Sequence, residues 1–348
     1  MHINFKLLLL TIVPLLALIY ISSVKFYESY DFQKNLNSAT VLVELSKTVG
    51  SAIHELQQER GMSVGYISSN GEKFLEKLQN QKDDTDLELM LLRKQIGTLK
   101  FSQYDNSLKT TVNKVLEILS KLKEMRGKVL DINVDVDDTL EYYSSINTEL
   151  INIVYMVSNF IKDSKISKQL LAYNIFLKIK ENAGIERAVL SAVFSDNVFE
   201  LKMFAKFITL IAKQDAYSED FMNIATDNIK EQYLQKINSL EFQEIENMRK
   251  IAIENANIGD FNIDSEDWFS EVTKKIDTLK LIENAIISES KNEIESSSSS
   301  SLYIAIIMGI IVLLTLIVFI VTIASSPEFK FQYDYFKSKI RRRFRNSM

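Results

Sequence analysis

Proline is almost absent from this chain. Pro14 and Pro327 are the only two, both near an end, so more than 300 consecutive residues run between them without one. Glycine is nearly as scarce, with 9 in 348 residues. Sheets need turn residues at short intervals, and doubly wound folds, β/α-barrels and sandwiches all need many. A chain without them folds as long helices. The absence of cysteine removes disulfides, thiolate metal sites and a thiol nucleophile. With only His2 and His54 present, multi-histidine metal sites and most histidine-based catalysis go as well. No enzyme motif, metal or cofactor is expected.

Two apolar runs divide the chain. Leu7–Ile21 reads LLLLTIVPLLALIYI after a single basic flank, Lys6. The stretch after Tyr20 offers no small-residue pair for signal cleavage, so an uncleaved anchor over 1–24 is expected. Residues 302–324 are 23 without a charge, which at 1.5 Å per residue suffices to cross a hydrocarbon core of about 30 Å. The second span is placed at 302–325.

Charge then suggests an orientation. The segment 326–348 has seven basic against two acidic side chains, whereas 25–301 has 33 basic against 44 acidic. By the positive-inside rule the tail is cytoplasmic and the middle external, periplasmic in a bacterial inner membrane. Beside a membrane helix the basic tail reads as a topology determinant or a lipid contact, and no nucleic-acid partner is expected.

Between Phe26 and Ile294 apolar residues recur at helical spacing, with polar or glycine-containing breaks at 68–71, 97–105, 131–138, 163–168, 195–198, 215–220 and 258–266. These separate about eight helices, with Asp138 a cap for a helix at Thr139 and Asp264 or Ser265 the cap of the last one. In that last helix Phe269, Val272, Ile276, Leu279, Ile282 and Ile286 form a seam that suits either a bundle core or a dimer stalk. The run Ser296–Ser301 is either a flexible linker or a solvated helical turn.

One internal match stands out. Residues 59–70, ERGMSVGYISSN, align without a gap on 186–197, ERAVLSAVFSDN. Glu59/Glu186, Arg60/Arg187, Ser68/Ser195 and Asn70/Asn197 are identical, and Gly61 and Gly65 stand opposite Ala188 and Ala192. The period of 127 is too long for a solenoid and fits two related helical units. Small residues four apart share a helix face and let another backbone approach. Arg60 and Arg187 would then face each other across a cleft, where a flat oxyanion converts their repulsion into charge-assisted contacts. The plainer alternative is that both are structural ion pairs, in a helical scaffold that binds no small ligand.

The stretch HELQQERGMSVGYISSNGEKFLEKLQNQKDDTD, 54–86, resembles the first signature of the nitrate- and nitrite-sensing (NIT) domain family. It supplies Gln57 or Gln58, Glu59, Arg60, Gly61, Ser63, Gly71, Thr85 and Asp86. ENAGIERAVLSAVFSDNVF at 181–199 and QDAYSEDF at 214–221 resemble the second signature, and DWFSEVTKKIDTLKLIENAI from Asp267 the closing tryptophan-containing helix. The resemblance covers roughly 40–290. It implies an all-helical domain of two stacked four-helix bundles; with the helix count and the spans read above, the expected chain is all-α, an elongated external domain of about eight helices over 25–301 flanked by two transmembrane helices. It implies nitrate or nitrite as ligand, held by Arg60 and Arg187. Glu59 and Glu186 would orient the arginines or cap their charge, Ser63 would donate its hydroxyl either to the anion or, as is more common, to its own helix backbone, and Gly61, Gly65, Ala188 and Ala192 would allow close packing. Receptors of this kind are usually homodimers. The 22 residues after Ser326 do not continue into an output module, which suggests a truncated receptor or one signalling through a membrane partner.

Overall fold

The computed structural model describes residues 2–325, 335, 337 and 338; the side chains of 2–12, 241, 322, 323 and 325 are not described. Among the described residues there is no strand. The helices are α1 His2–Ser68, α2 Leu75–Gly97, a 3-10 turn at Phe101–Gln103, α3 Asn106–Ser120, α4 Leu122–Leu130, α5 Val136–Phe160, α6 Ser164–Asp196, α7 Leu201–Ile224, α8 Asp227–Ile237, α9 Leu240–Glu254 and α10 Ser265–Ser325. The chain is all-α, as its shortage of turn residues requires.

The expected count of about eight is corrected to ten among the described residues. The polar cluster 215–220 contains neither glycine nor proline, and α7 runs straight through it. The unanticipated breaks fall instead at Lys121, at Ala225–Thr226 and at Asn238–Ser239. Asp138 is not a cap either. Asp135 accepts from the Asp138 backbone N–H and starts α5 at Val136, so Asp138 lies in the first turn, where a carboxylate favours the helix dipole. Asp264 does cap α10, accepting from the N–H groups of Glu266 and Asp267.

The chain divides into two compact units. One comprises Met1–Asn37 with Glu295–Met348. Within it the serine run is helical, not a linker. The Ser29 hydroxyl donates to the Ser301 carbonyl at 2.7 Å, and the Gln33 amide to the Ser298 carbonyl at 2.6 Å. Of the two expected spans, one is found among the described residues: Ser265–Val321 contains an 18-residue window of mean hydropathy 3.4. The expected first span, Leu7–Ile21, begins among residues whose side chains are not described, so of the two flanking spans only this apolar helix is a candidate among the described residues. The basic tail lies almost wholly outside the described residues.

The other unit is Ser38–Ile294. Its central helix is α6, buried on every side from Ala172 to Phe194 apart from an occasional position, which is what a helix without a polar stripe requires. The α10 seam is core: Phe269, Val272, Ile276, Leu279, Ile282 and Ile286 are all buried within this one chain. Each such side chain stabilises the fold by about 1.5–3 kcal/mol.

The internal match extends to whole helices. Shifting the bounds of α2, Leu75–Gly97, by the period of 127 gives 202–224, against 201–224 for α7. The aligned asparagines Asn70 and Asn197 both adopt the left-handed conformation, at φ 51° and 53°. The aligned serines meet, the Ser195 hydroxyl donating to the Ser68 carbonyl at 3.4 Å.

Candidate functional site: two buried arginines

Arg60 on α1 and Arg187 on α6 are both fully buried. Each guanidinium lies against a glycine of the other's helix. A Cβ on Gly61 would stand 2.9 Å from Arg187 Nη2, and one on Gly184 would stand 2.8 Å from Arg60 Nη2. The helices are therefore matched reciprocally, arginine to glycine. The small residues of the motif admit side chains rather than a neighbouring backbone: Gly65 receives the ring of Phe74, and Ala188 and Ala192 are plain core.

The two arginines differ in what neutralises them. Arg60 donates both Nη groups to the Glu181 carboxylate and Nη1 also to the Ser144 hydroxyl at 2.8 Å. Glu181 accepts further from the side-chain amides of Gln57 at 2.7 Å and Asn147 at 3.0 Å. Arg187 has no carboxylate within ion-pair distance among the described residues. It donates to the Gln57 carbonyl and to the Thr273 hydroxyl, each at 2.8 Å, and its guanidinium lies 4.4 Å from the Phe269 ring centroid. Burial, and then the like charge of Arg60, push the Arg187 guanidinium down to about 9. A guanidinium holds its proton in almost any setting, so the shift records an uncompensated buried charge.

Both Nε groups are buried without a hydrogen-bond partner among the described residues, and so are Gln57 Oε1 and Asn147 Oδ1. Buried donors of charged groups are rarely left so. The donor set thus fits a small planar anion, which accepts in its own plane from two guanidinium edges. Glu181 also lines a cavity of about 470 Å³ whose other walls include Lys178, Lys213 and Tyr217.

The glutamates of the motif do not orient their neighbouring arginines. Glu59 is held by Arg126 through two bonds of 2.7 and 2.8 Å and by the Tyr143 hydroxyl at 2.7 Å. Glu186 is held by Arg249 and by the Gln214 amide at 2.8 Å. Adjacent residues on a helix point about 100° apart, so an Glu-Arg pair serves two separate clusters. Ser63 is buried next to the Tyr143 hydroxyl, on the Glu59 side. His54 is mostly buried, with Gln58 at 3.3 Å, and burial pushes it down to about 3, so it is neutral. Trp268 is core, donating its indole N–H to the Arg187 carbonyl at 3.0 Å.

Sequence reasoning missed Glu181, Gln57 in its bridging role, Asn147, Thr273 and Gly184. One signal was available for Gly184: a glycine inside a long apolar helix costs about 1 kcal/mol and marks a close approach.

Much of the chain is similar to known proteins. It is 22% identical over 252 residues to a "Nitrate regulatory protein" of Klebsiella oxytoca, a match covering 72% of this chain and 63% of that protein's length. Among solved structures it is similar to that of the NasR transcription antiterminator, with a TM-score of 0.72, 20% identity and 82% of each chain covered. Neither is called a membrane receptor. The expectation of an inner-membrane receptor with a periplasmic domain, membrane contacts and a membrane signalling partner is corrected on that finding. The exclusion of nucleic acid falls with it, because a transcription antiterminator shares the fold. Both expectations leaned on charge asymmetry about a pair of spans, and charge can orient only spans that are themselves established. Residues 51–291 match the family model described as nitrate and nitrite sensing, and the chain belongs to that family.

Proposed function

We propose that the domain expected over 25–301, with Ser38–Ile294 as its compact unit, senses a small planar oxyanion, nitrate or nitrite, held between Arg60 and Arg187. The observation that carries this proposal is the pair of buried guanidiniums with both Nε donors unpartnered and only one carboxylate between them. In this reading the anion bridges the two Nε edges and supplies the counter-charge that Arg187 lacks. Glu181, itself a planar oxyanion, holds Arg60 while no ligand is bound. Ligand binding draws α1 and α6 together and reaches α10 through Thr273 and Phe269, both in contact with Arg187. Such a change carries information only if the anion prefers one arrangement of these helices over the other.

The proposed role is sensing rather than catalysis, and the output is regulatory, as the names of the relatives suggest. Part of the proposal is a grouping into two four-helix bundles. Glu59, Asp86, Arg126 and Tyr143 would tie α1, α2, α4 and α5, while Glu186, Gln214, Arg249 and Lys275 would tie α6, α7, α9 and α10. Calorimetric titration of the purified chain with nitrate, nitrite, chloride and sulfate tests the ligand. Saturable nitrate or nitrite binding that disappears in both Arg60→Ala and Arg187→Ala is expected. Binding unchanged by either variant, or absent from the folded protein, refutes the site.

A further inference from the structure

A second buried cation has no ion-pair partner among the described residues, and it lines a cavity that includes neither arginine of the proposed oxyanion site. Lys275 on α10 is 6% exposed and lines a cavity of about 550 Å³. Its single hydrogen bond among the described residues is to Gln214 Oε1 at 3.4 Å, long for a charged donor. Its Nζ stands 5.4 Å from the Phe242 ring centroid. No carboxylate lies within ion-pair distance of it among the described residues. Of the three carboxylates that act on it, Glu186 and Glu246 are taken by Arg249, and Asp215 stands in the cavity wall beyond ion-pair distance. Burial, then the like charge of Arg249, push the Lys275 ammonium down to about 8.

Lys180 shows that an unpaired lysine is not the rule in this core. It is buried on the neighbouring helix α6 and is held directly by Glu283. An ammonium has three N–H donors and ordinarily fills them when buried. The cavity at Lys275 therefore offers a point charge with unused donors. Its other walls include the apolar side chains of Ile179, Phe242 and Leu279. A cation without an ion pair among the described residues, a partly apolar wall and a volume well above that of a three- or four-atom anion define the chemistry of an occupant.

We propose that the Lys275 cavity binds a small organic monocarboxylate, its carboxylate on the Lys275 ammonium and its apolar body against Ile179, Phe242 and Leu279. Arg249 positions the wall, with four of its five N–H donors taken by Glu186, Glu246 and Gln214, so Lys275 is the cation with more donors to spare. This site stands independently of the oxyanion proposal for Arg60 and Arg187.

The test titrates the purified chain with acetate, butyrate, benzoate and succinate by calorimetry, beside the variants Lys275→Met, Gln243→Trp and Arg187→Ala. Met keeps the length of the lysine stem and removes a buried charge, so the fold is retained. Gln243 is exposed at the cavity rim, and a tryptophan there obstructs the cavity without touching the core. Butyrate and benzoate are expected to bind more tightly than acetate or succinate. Their affinity is expected to fall by about tenfold or more in Lys275→Met and Gln243→Trp, and to persist in Arg187→Ala. Absence of saturable binding by every carboxylate overturns the proposal. So does binding that survives Lys275→Met, or binding that is lost in Arg187→Ala.

Discussion

Arg60 and Arg187 occupy matched positions of the internal repeat, but their electrostatic settings are opposite. Arg60 lies in a closed set of bonds with Glu181, Ser144, Gln57 and Asn147, whereas Arg187 has only a carbonyl, a hydroxyl and an aromatic face. The repeat sets where the two guanidiniums stand, and a single glutamate six residues before the second one makes them unequal. A buried pair contributes little net stability but is costly to break, while an unpaired buried charge is costly as it stands. One arginine therefore serves the fold more than the other does, although the motif writes them alike.

The widest separation between the two should appear in stability. Arg60→Met leaves the Glu181 carboxylate buried without its cation and is expected to cost about 3–5 kcal/mol in chemical unfolding. Arg187→Met removes an uncompensated charge and is expected to be neutral or stabilising. Equal losses would break the comparison.

Acid titration sharpens it next, because the positive surroundings of Arg187 extend to His54. Burial, Lys180, Lys280 and Arg187 outweigh Glu283 and hold His54 at about 3, against 6.5 for an ordinary imidazole. The unfolded chain takes up this proton at higher pH than the fold does. The contribution is thus complete above pH 6.5 and is lost as pH falls toward 3, at about 1.4 kcal/mol per unit. Stability measured between pH 7 and 5 should drop by about 2 kcal/mol through this residue, and His54→Gln should flatten the profile. An unchanged slope in the variant would show that His54 is not the group responsible.

Smaller effects are expected on binding. Glu181→Gln keeps the shape but removes the internal competitor, and nitrate affinity should rise by about tenfold. A fall instead would make Glu181 part of the scaffold that the anion needs. Gly184→Ala places a methyl group 2.8 Å from Arg60 Nη2, and Gly61→Ala one 2.9 Å from Arg187 Nη2. Each should weaken nitrate binding several-fold, with little loss of stability for Gly184→Ala, where alanine favours a helix by about 1 kcal/mol over glycine, and a larger loss for Gly61→Ala, whose methyl also meets the Phe269 ring at 2.9 Å. Unchanged affinity in both would deny the arginines their close seat on the facing helices.

Much of this was legible in the sequence because it depends on local chemistry. The scarcity of proline and glycine dictated an all-α fold, and the spacing of Phe269 to Ile286 dictated a buried seam. The alignment of 59–70 on 186–197 located both arginines, the paired serines and the paired left-handed asparagines. What stayed hidden depends on partners distant in sequence. Glu59 meets Arg126, and Glu186 meets Arg249, at separations of 67 and 63 residues, so the adjacent arginine was the wrong partner to assign. Glu181 was quoted in the second signature without a role, because nothing local shows that it faces Arg60 on another helix. The membrane-receptor expectation failed for a different reason. It rested on the apolar runs and the charges around them, which say how a chain might be placed and not what its sensing domain regulates.

The most direct test is a crystal structure of the protein grown in nitrate, with the anion located by its electron density. A planar anion within hydrogen-bond distance of Nε of both Arg60 and Arg187, with Glu181 drawn away from Arg60, is the predicted result. Glu181 still bonded to Arg60, with both Nε groups unoccupied in nitrate-saturated crystals, would contradict it.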